Sequence, residues 1–534
     1  MAKTTLYKWY APQFDAYFFI AVEDTTKKSP DNWFNLSALK DKIRGVATEE
    51  AYQLLQDKKS NTVIVAVIDS GIDIRHDDLK DNIWVNAKEI AGNGKDDDGN
   101  GYIDDINGWN FIGGKDGKNV GADSYELTRE YARLNAKYAN VDATKLKGTQ
   151  KAEYQYYQEI KTAFLERKAE IDENYQGFKN FKDAYMEAQS VLQKHLNTTA
   201  PLTEAQVKAI KSDKAEVNEA IATMKLAFGY GLDEKQLVEG VEYFEKAKNY
   251  GYNENFNPRN IVGDKENDIN DKYYGNNDVI GPDATHGTHV AGIIGAVRSN
   301  NIGMKGVADN VKIMVVRAVP DGDERDKDVA NAIRYAVDNG ARIINMSFGK
   351  AYSPNKEWVD EAIKYAQSKN VLLVHAAGND SKNVDTEKNF PHPRSKDGKV
   401  LVNNWLEIGA SSWHSDNNKF VADFTNYGQK YVDVFAPGVD IYATTPNQSY
   451  EYLSGTSMAA PVTSGVAALL LSYFPELTAV QLKDILMKSS TKYKGTMVNK
   501  PGAENTVDFG TLSNTGGIVN AYEAVKMAIE MTKK

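Results

Sequence analysis

Short apolar runs alternate with amphipathic stretches along much of the chain. Each run is rich in β-branched residues and bounded by Gly, Asp or Asn, which is typical of strands buried on both faces of a sheet. The stretches between them repeat apolar residues with the spacing of one helix face. This alternation predicts an α/β fold with a parallel, doubly wound sheet. The predicted strands are 62–68, 311–319, 341–348, 371–377 and 431–436.

Residues 121–250 differ from the rest, because strand-like runs disappear and charged, Tyr-rich helical patterns replace them. Thr203 with Gln206, and Asp233 with Gln236, have the spacing of capping boxes at helix starts. These patterns predict an inserted helical subdomain of about four or five helices with an amphipathic core. The predicted division of the chain is an N-terminal extension at 1–58, an α/β domain at 59–120 and 251–534, and a helical insertion at 121–250.

Composition and charge narrow the classes of function. The chain has 534 residues, 41% hydrophobic and 26% charged, which suits a globular protein of two or more structural units. Its net charge of −10 gives no electrostatic footprint for nucleic acid or an anionic membrane. The absence of cysteine excludes disulfides, thiol catalysis and Cys-ligated zinc. No apolar run reaches the roughly 18 residues that a membrane span needs.

Three distant segments each carry one residue type used in nucleophilic catalysis. Asp69 ends an apolar run, His286 precedes Gly287 and an apolar stretch, and Ser457 follows Gly455 at the start of a helix-like run. A serine hydroxyl needs a base to take its proton, and an imidazole held by a carboxylate is such a base. Asp69 also falls at the carboxyl end of a predicted strand, where α/β sheets form their sites. The residues predict a catalytic triad in the order Asp, His, Ser.

The residues around these positions resemble the subtilisin-like serine proteases, or subtilases. The matching segments are VIDSGID around Asp69, HGTHVAGIIGA around His286, NMSFG at 345–349, AAGND at 376–380 and GTSMAAPVTSGVAALL from 455. They frame roughly 60–120 and 260–534 of the chain. The resemblance implies a subtilisin-like catalytic domain that cleaves polypeptide substrates through an acyl-enzyme, with Asp69, His286 and Ser457 as the triad.

The same resemblance assigns residues around the scissile bond. It implies that Asn379 donates its side-chain amide to the oxyanion, with the backbone N–H of Ser457 as second donor. It also implies that the peptide binds as an added strand. Pro320 lacks an N–H, which leaves the register of that pairing open. The expected substrate-binding residues are Gly322, Ser347, Phe348, Gly349, Ala377 and Gly378.

An acidic segment at 96–107, with the sequence DDDGNGYIDDIN, predicts a calcium site. Its carboxylate, amide and carbonyl groups follow most of the spacing of a calcium-binding loop. The loop lacks the usual Glu at its twelfth position, where Asn107 stands, so a solvated acidic turn is the alternative. A second acidic stretch at 263–278 is a weaker candidate. The expected ligands of a structural Ca²⁺ ion are Asp96, Asp98, Asn100, Tyr102 and Asp104, and no organic cofactor is expected.

The start of the chain has no cationic stretch followed by an apolar core, so it does not read as a secretory signal. The chain resembles exported subtilases of Bacteroidetes-type bacteria, which implies an extracellular, periplasmic or cell-surface location with the export signal removed. Subtilases are usually made with a folding propeptide, and the segment before the first core strand is too short for a full one. A propeptide or an inhibitor from outside this chain is left open as a partner.

The interval from Asp69 to His286 is 217 positions, because the helical insertion separates them. We expect its two ends to lie close together, and we predict that it shapes substrate access near the cleft. Two other functions stay open. The first is a non-catalytic binding protein on the same fold, which the intact triad disfavours. The second is a metallohydrolase using His286, His289 and the acidic clusters, which lacks a Glu general base between the two histidines.

Overall fold

The computed structural model describes residues 7–11, 16–20 and 28–533. The chain divides into two compact units. The α/β unit comprises Ser29–Glu126 and Asn257–Lys534, and the helical unit comprises Met1–Lys28 and Leu127–Phe256. The strands are β1 Tyr7–Ala11, β2 Ala16–Ile20, β3 Val63–Asp69, β4 Gly108–Asn110, β5 Val311–Arg317, β6 Ile343–Met346, β7 Leu372–Ala376, β8 Trp405–Ser411, β9 Val434–Pro437, β10 Ile441–Thr445, β11 Ser449–Leu453, β12 Thr491–Lys492, β13 Met497–Asn499, β14 Thr506–Asp508 and β15 Gly517–Ile518.

The helices fall between and after these strands. They are α1 Thr48–Leu55, α2 Glu126–Tyr138, α3 Gly148–Leu196, α4 Glu204–Ala209, α5 Ala215–Gly229, α6 Glu234–Lys246, α7 Arg259–Val262, α8 Thr285–Gly295, α9 Asp326–Asp338, α10 Lys356–Ser368, α11 Thr456–Tyr473, α12 Ala479–Lys488 and α13 Ala521–Thr532.

A sheet of nine strands, counted over the described residues, forms the centre of the α/β unit. Its order is β12-β15-β9-β8-β7-β6-β3-β5-β4. Neighbouring strands run parallel except β12 and β15, which are antiparallel. The α/β class and the parallel sheet predicted from the apolar runs are therefore confirmed.

Alternate residues of the central strands enter different cores, as expected for a sheet covered on both faces. In β3, Val65 and Val67 join the core that contains α8, α11 and α13, whereas Ala66 and Ile68 join the core that contains α9 and α10. This two-sided burial explains why β3 has an unbroken apolar run. It also leaves only the strand ends to carry polar chemistry.

Strand β8 was not predicted from the sequence, although it lies in the middle of the sheet. Glu407 and Gly409 interrupt its apolar pattern. The structure explains the buried carboxylate, since Glu407 accepts a hydrogen bond from Trp405 Nε1 at 2.7 Å and lies 2.9 Å from His375 Nδ1. Because a buried polar residue with hydrogen-bond partners stands in the strand, a search for continuous apolar runs does not find β8.

Helix α11 is the one helix in the described part of the chain that is long and apolar enough to cross a membrane. Of its 18-residue window, 89% is buried inside the protein. It packs against β6, β7, β8 and β9 and against α8. Burial in the core accounts for its composition, so the helix gives no support for a membrane span.

The helical unit has its own core between α3, α4, α5 and α6. Phe181, Tyr185 and Leu192 of α3 pack with Met224 of α5 and Leu237 of α6. Both predicted capping boxes are present, at the starts of α4 and α6. The apolar patterns that suggested several helices between 148 and 196 belong to the single 49-residue helix α3.

The two ends of the helical unit lie close together, as the sequence led us to expect. Thr128 Oγ1 near the start donates a hydrogen bond to the carbonyl oxygen of Gly251 near the end, at 2.7 Å. An insertion whose ends meet in this way can be accommodated without displacing the flanking elements.

Candidate active site

The candidate site lies where neighbouring parallel strands end. β6 and β5 are the two neighbours of β3 in the sheet, and all three strands run in the same direction. Asp69 is the last residue of β3, Ser347 follows β6, and the segment 318–323 follows β5. The backbone N–H groups of Ala318 and Val319 both donate to the carbonyl oxygen of Asp69, at 3.0 and 3.3 Å. The predicted acid, Asp69, and two predicted substrate-binding segments therefore meet at the carboxyl ends of these parallel strands.

Asp69 and His286 are in direct contact. His286 Nδ1 lies 2.7 Å from Asp69 Oδ1, which also accepts the N–H of Ser70 at 2.8 Å. The Asp69 side chain is 3% exposed, whereas that of His286 is 39% exposed. Because a carboxylate only accepts, Nδ1 carries a proton and Nε2 is left with the lone pair of a base.

Glycine makes this close approach possible. A Cβ at Gly287 would lie 2.2 Å from the carbonyl oxygen of Gly71, so no larger residue fits where α8 begins. Gly71 itself has φ +133°, and a Cβ there would lie 2.0 Å from the carbonyl oxygen of Ile280. The start of α8 is thus held directly against the end of β3, and His286 is brought to Asp69.

The surroundings of His286 raise its pKa. Burial by itself lowers the pKa, but the charge of Asp69, its hydrogen bond and the charge of Asp283 outweigh burial, so the pKa of His286 lies above the usual 6.5. The imidazolium that forms when a base takes a proton is therefore stabilised at this position.

Ser457 is the second residue of α11, but its hydroxyl does not form a hydrogen bond with the imidazole of His286. Its Oγ donates to the carbonyl oxygen of Ser347 at 3.2 Å, and Ser347 Oγ donates back to the carbonyl oxygen of Ser457 at 3.0 Å. Over residues 28–533 no hydrogen bond joins Ser457 to His286. Catalytic hydrogen bonds are often long or misaligned in free enzymes and tighten only when substrate binds.

The Asn379 side chain has a fixed orientation. Its Oδ1 accepts both the N–H and the Oγ1–H of Thr456, each at 2.9 Å. An oxygen in that position leaves Nδ2 as the outward-facing donor. Nδ2 and the backbone N of Ser457 lie 3.6 and 3.5 Å from the point that a Cβ on Gly455 would occupy, so two donors border one small space.

Two asparagines that the sequence reading did not assign hold the Asn379 loop in place. Asn426 is fully buried, donates to the carbonyl oxygen of Ala377 at 2.8 Å, and accepts the N–H groups of Asp380 and Lys382. Asn389 donates to the same carbonyl at 2.9 Å. These contacts join positions 12 to 49 residues apart, and no local motif signals them.

The other predicted substrate residues lie on the same edge of the sheet. Phe348 is half-buried, and its carbonyl oxygen lies 2.8 Å from Nε2 of the buried His375. Gly349 is exposed. On the opposite segment, Asp321 is paired through both of its backbone groups with residues 121–123. Gly322 follows in a bend with φ +149°, and a Cβ there would lie 2.2 Å from the carbonyl oxygen of Asp123, so only glycine fits against the 121–123 strip.

The acidic segment brings together fewer of the predicted calcium ligands than its spacing suggested. Glu89, Asp96 and Asp98 form a group whose carboxylate oxygens lie within 4.8 Å of one another. Asp104 is not in that group, because its carboxylate accepts the N–H groups of the neighbouring turn at 93–94.

The two remaining predicted ligands, Asn100 and Tyr102, form a hydrogen bond with each other within the loop. Asn100 Oδ1 accepts the N–H of Tyr102, and Asn100 Nδ2 donates to Asp105 Oδ2 at 3.1 Å. Glu89 was missed because it lies seven positions before Asp96, outside the loop template.

Asp264, in the second acidic stretch, is paired with the protein's own cations. Asp264 Oδ1 lies 2.6 Å from Arg259 Nε, and its Oδ2 lies 2.5 Å from Lys327 Nζ, all three side chains being buried. Asp328 binds the other side of the Arg259 guanidinium at 2.6 Å. These carboxylates already have cationic partners, which disfavours Asp264 as a calcium ligand.

His289 does not face the same way as His286. It is fully buried, and its Nε2 lies 2.9 Å from the carbonyl oxygen of Ile441 and 3.1 Å from that of Glu451. Burial lowers the pKa of His289 to about 4. Nε2 is thus occupied by two carbonyl oxygens, and among the described residues neither His286 nor His289 belongs to a cluster of possible metal ligands, which disfavours the metallohydrolase.

Comparisons with known proteins find similarity over a large part of the chain. A sequence model described as the subtilase family matches residues 60–508. The Thermophilic serine proteinase of Bacillus sp. (strain AK1) is 38% identical over 241 residues, which are 45% of this chain and 52% of that protein. The Cell wall-associated protease of Bacillus subtilis (strain 168) is 35% identical over 251 residues, 47% of this chain and 26% of that protein.

Thermitase of Thermoactinomyces vulgaris is 35% identical over 271 residues, covering 48% of this chain and 83% of that protein. The chain thus spans most of thermitase, but only 52% and 26% of the length of the other two relatives.

Proposed function

The chain belongs to the subtilase family, whose model matches residues 60–508, and from this membership we propose that it is a serine endopeptidase. The substrate is a polypeptide, cleaved through an acyl-enzyme on Ser457. The observation that carries the proposal is the 2.7 Å contact between His286 and Asp69 at the carboxyl end of β3. Ser347 follows the neighbouring strand β6, and its carbonyl oxygen accepts a hydrogen bond from Ser457 Oγ.

The reaction begins with a rotation of the Ser457 hydroxyl from the Ser347 carbonyl toward His286. His286 Nε2 takes the proton while Oγ attacks the peptide carbonyl carbon. Asp69 stays ionised, holds the tautomer and stabilises the imidazolium. Asn379 Nδ2 and the N–H of Ser457 donate to the oxyanion that forms.

The second half of the reaction uses the same residues in reverse. The imidazolium of His286 protonates the leaving amine as the C–N bond breaks, which leaves the acyl group as an ester on Ser457. A water molecule then gives its proton to Nε2 and attacks the ester carbonyl. The C–O bond to Oγ breaks, the proton returns to the serine, and the carboxylic acid product leaves.

The peptide would lie between the continuations of β5 and β6. β3 lies between β5 and β6 in the sheet, so the segments that follow these two neighbours, 318–323 and 347–349, start about two strand spacings apart, roughly 9–10 Å. A peptide enters such a gap as an added strand. On the β5 side the peptide would pair with the backbone of 320–322, where Pro320 can offer only its carbonyl oxygen.

Covalent labelling tests the proposed function. A serine-directed phosphonate should add one adduct mass, located on Ser457 by peptide mapping, and His286→Ala should abolish labelling. The control Ser449→Ala, at an exposed serine of β11, should label like wild type. A non-catalytic binding protein or a metallohydrolase would give no adduct on Ser457. The absence of an adduct would therefore refute the proposal of a serine protease.

We further propose that Glu89, Asp96 and Asp98 hold a structural calcium ion. Hard carboxylate oxygens within 4.8 Å of one another are the donors that Ca²⁺ prefers. The backbone N–H of Asn100 already bonds to Asp96 and Asp98 at 3.1 and 3.0 Å, which fixes both carboxylates in the turn. Glu89 Oε1 is held at the same loop by the N–H groups of Asp97 and Asp98, at 2.9 and 3.0 Å, and the ion would relieve the repulsion between the three charges.

Calcium-dependent stability tests this site. At 100 times the dissociation constant, a ligand that binds only the folded protein stabilises it by about 2.7 kcal/mol, so calcium should raise the melting temperature. The double variant Asp96→Asn, Asp98→Asn should lose the calcium-dependent part, whereas the exposed Asp57→Asn should keep it. An identical calcium response in the double variant would contradict the assignment.

The location outside the cell or at its surface stays a proposal. It is supported by family membership and by the relative from Bacillus subtilis, which is named a cell wall-associated protease. Fractionation of the native organism with an antibody against the α/β unit would test it, and recovery in the cytoplasmic fraction alone would refute it.

A further inference from the structure

A buried lysine lies where the two edges of the proposed groove come together. Lys350 follows Gly349 on the β6 side, and its side chain is 2% exposed. Its Nζ lies 2.7 Å from Glu126 Oε2, 2.8 Å from the carbonyl oxygen of Glu324 and 2.8 Å from Asp326 Oδ1. Three acceptors match the three hydrogens of an ammonium group.

These acceptors belong to the opposite edge of the groove. Glu324 and Asp326 lie two and four residues after Gly322 on the β5 side. Glu126 lies three residues after the strip 121–123 that pairs with Asp321. A single ammonium therefore connects the segment on one side of the gap with two segments on the other side.

Both ends of this connection are fixed. The backbone N–H of Lys350 donates to the carbonyl oxygen of Phe390 at 2.8 Å, and the carbonyl oxygen of Lys350 accepts the N–H of Phe390 at 2.9 Å. Asp326 also accepts from Ser353 Oγ at 2.9 Å and from the N–H of Asn355 at 2.8 Å. Removing one partner of a buried ion pair is strongly destabilising, because the remaining charges stay desolvated and unpaired.

We propose that Lys350 is a positioning residue that sets the distance between the two groove edges and so governs binding of extended peptides. The inference rests on the proposed endopeptidase function. A substrate that reaches only the scissile position does not depend on the spacing of the edges. A longer peptide does, because it bonds to both edges along its length.

Two substrates with the same residue at the scissile position provide the test: a blocked amino-acid ester and a blocked tetrapeptide anilide. Lys350→Met keeps the length of the side chain and removes the ammonium. For the tetrapeptide we expect kcat/KM to fall about tenfold or more, chiefly through KM, with a several-fold smaller loss on the ester. The matched control is Lys364→Met, at a lysine of α10 whose side chain is 44% exposed, and it should change neither.

Equal losses on the two substrates, or no loss on the tetrapeptide, would overturn the inference. If Lys350→Met does not fold, Glu126→Gln carries the test, since it removes one carboxylate and leaves the ammonium with Asp326. It should show the same selectivity at smaller size, and equal losses or none would again overturn the inference. Failure of the proposed function looks different: wild type would hydrolyse neither substrate and would not react with the phosphonate.

Discussion

Asp69 and His286 form one half of the candidate active site, Ser457 and Asn379 form the other, and the two halves are held by different contacts. In the first half a buried carboxylate meets an imidazole at 2.7 Å. In the second half neutral groups bond to backbone: Ser457 Oγ to the Ser347 carbonyl, and Asn379 Oδ1 to the N–H of Thr456.

The difference shows which part of the site is set before substrate binds. The charged pair already has the geometry that the proposed mechanism requires. The serine must exchange one neutral hydrogen bond for another, and such a bond contributes only about 0.5–1.5 kcal/mol. The two halves should therefore respond differently to substitution.

The largest expected effect comes from removing the nucleophile. Ser457→Ala should lower kcat by about 10⁶-fold, the size found for triad deletions in serine proteases of this mechanism, because no acyl-enzyme forms. Steady-state hydrolysis of the tetrapeptide anilide measures it, with the melting temperature as a check on folding. A loss of less than about 10³-fold would mean that another group attacks the substrate.

Changing the charged half should cost less but still much. Asp69→Asn keeps the shape and loses the charge that selects the tautomer, so kcat should fall about 10⁴-fold. Labelling by the phosphonate should slow in parallel, since both depend on the base. An unchanged kcat would show that the contact between Asp69 and His286 is structural only.

Removing the oxyanion donor should have a smaller effect, mostly on kcat. Asn379→Ala should lower kcat by about 10²–10³-fold with little change in KM. Thr456→Val is the matched control, because it removes the hydroxyl that bonds to Asn379 Oδ1 but keeps the N–H that orients it. Equal effects of the two variants would mean that Asn379 acts by holding the start of α11 rather than by donating to substrate.

The smallest expected effect is a displacement of the pH profile, and it should belong to the charged half alone. Because the pKa of His286 is raised, the proton is retained to higher pH, so the acid limb of kcat/KM should lie above 6.5. Asp283→Asn removes one of the charges that raise this pKa and keeps an oxygen for the N–H of Thr285, so the limb should move to lower pH. A limb that moves upward would contradict the electrostatic explanation.

Elements with uninterrupted patterns were predictable from the sequence. Strands β3, β5, β6, β7 and β9 were predicted because two-sided burial leaves continuous apolar runs. The motifs around Asp69 and His286 predicted a contact that the structure places at 2.7 Å. Both kinds of signal are local, so a reading of the sequence alone reaches them.

What depends on distant partners was not predictable. Glu407 interrupts the apolar pattern of β8, and its burial depends in part on His375, 32 positions away, which lies 2.9 Å from its carboxylate. The role of Asn426 depends on a loop more than forty positions away. Asp264 looked like an acidic ligand until its neighbours Arg259 and Lys327 were in place.

The contact of α8 with β3 has a consequence for how the chain can be cut. Seven residue pairs join β3 to β5, and Gly287 lies directly against Gly71, so acid and base are held by the fold rather than by the peptide bonds between them. A single proteolytic nick inside 127–256 would leave two fragments joined without a covalent link. The gene could be divided at the same place, which makes this chain a natural starting point for a split enzyme reassembled from two polypeptides.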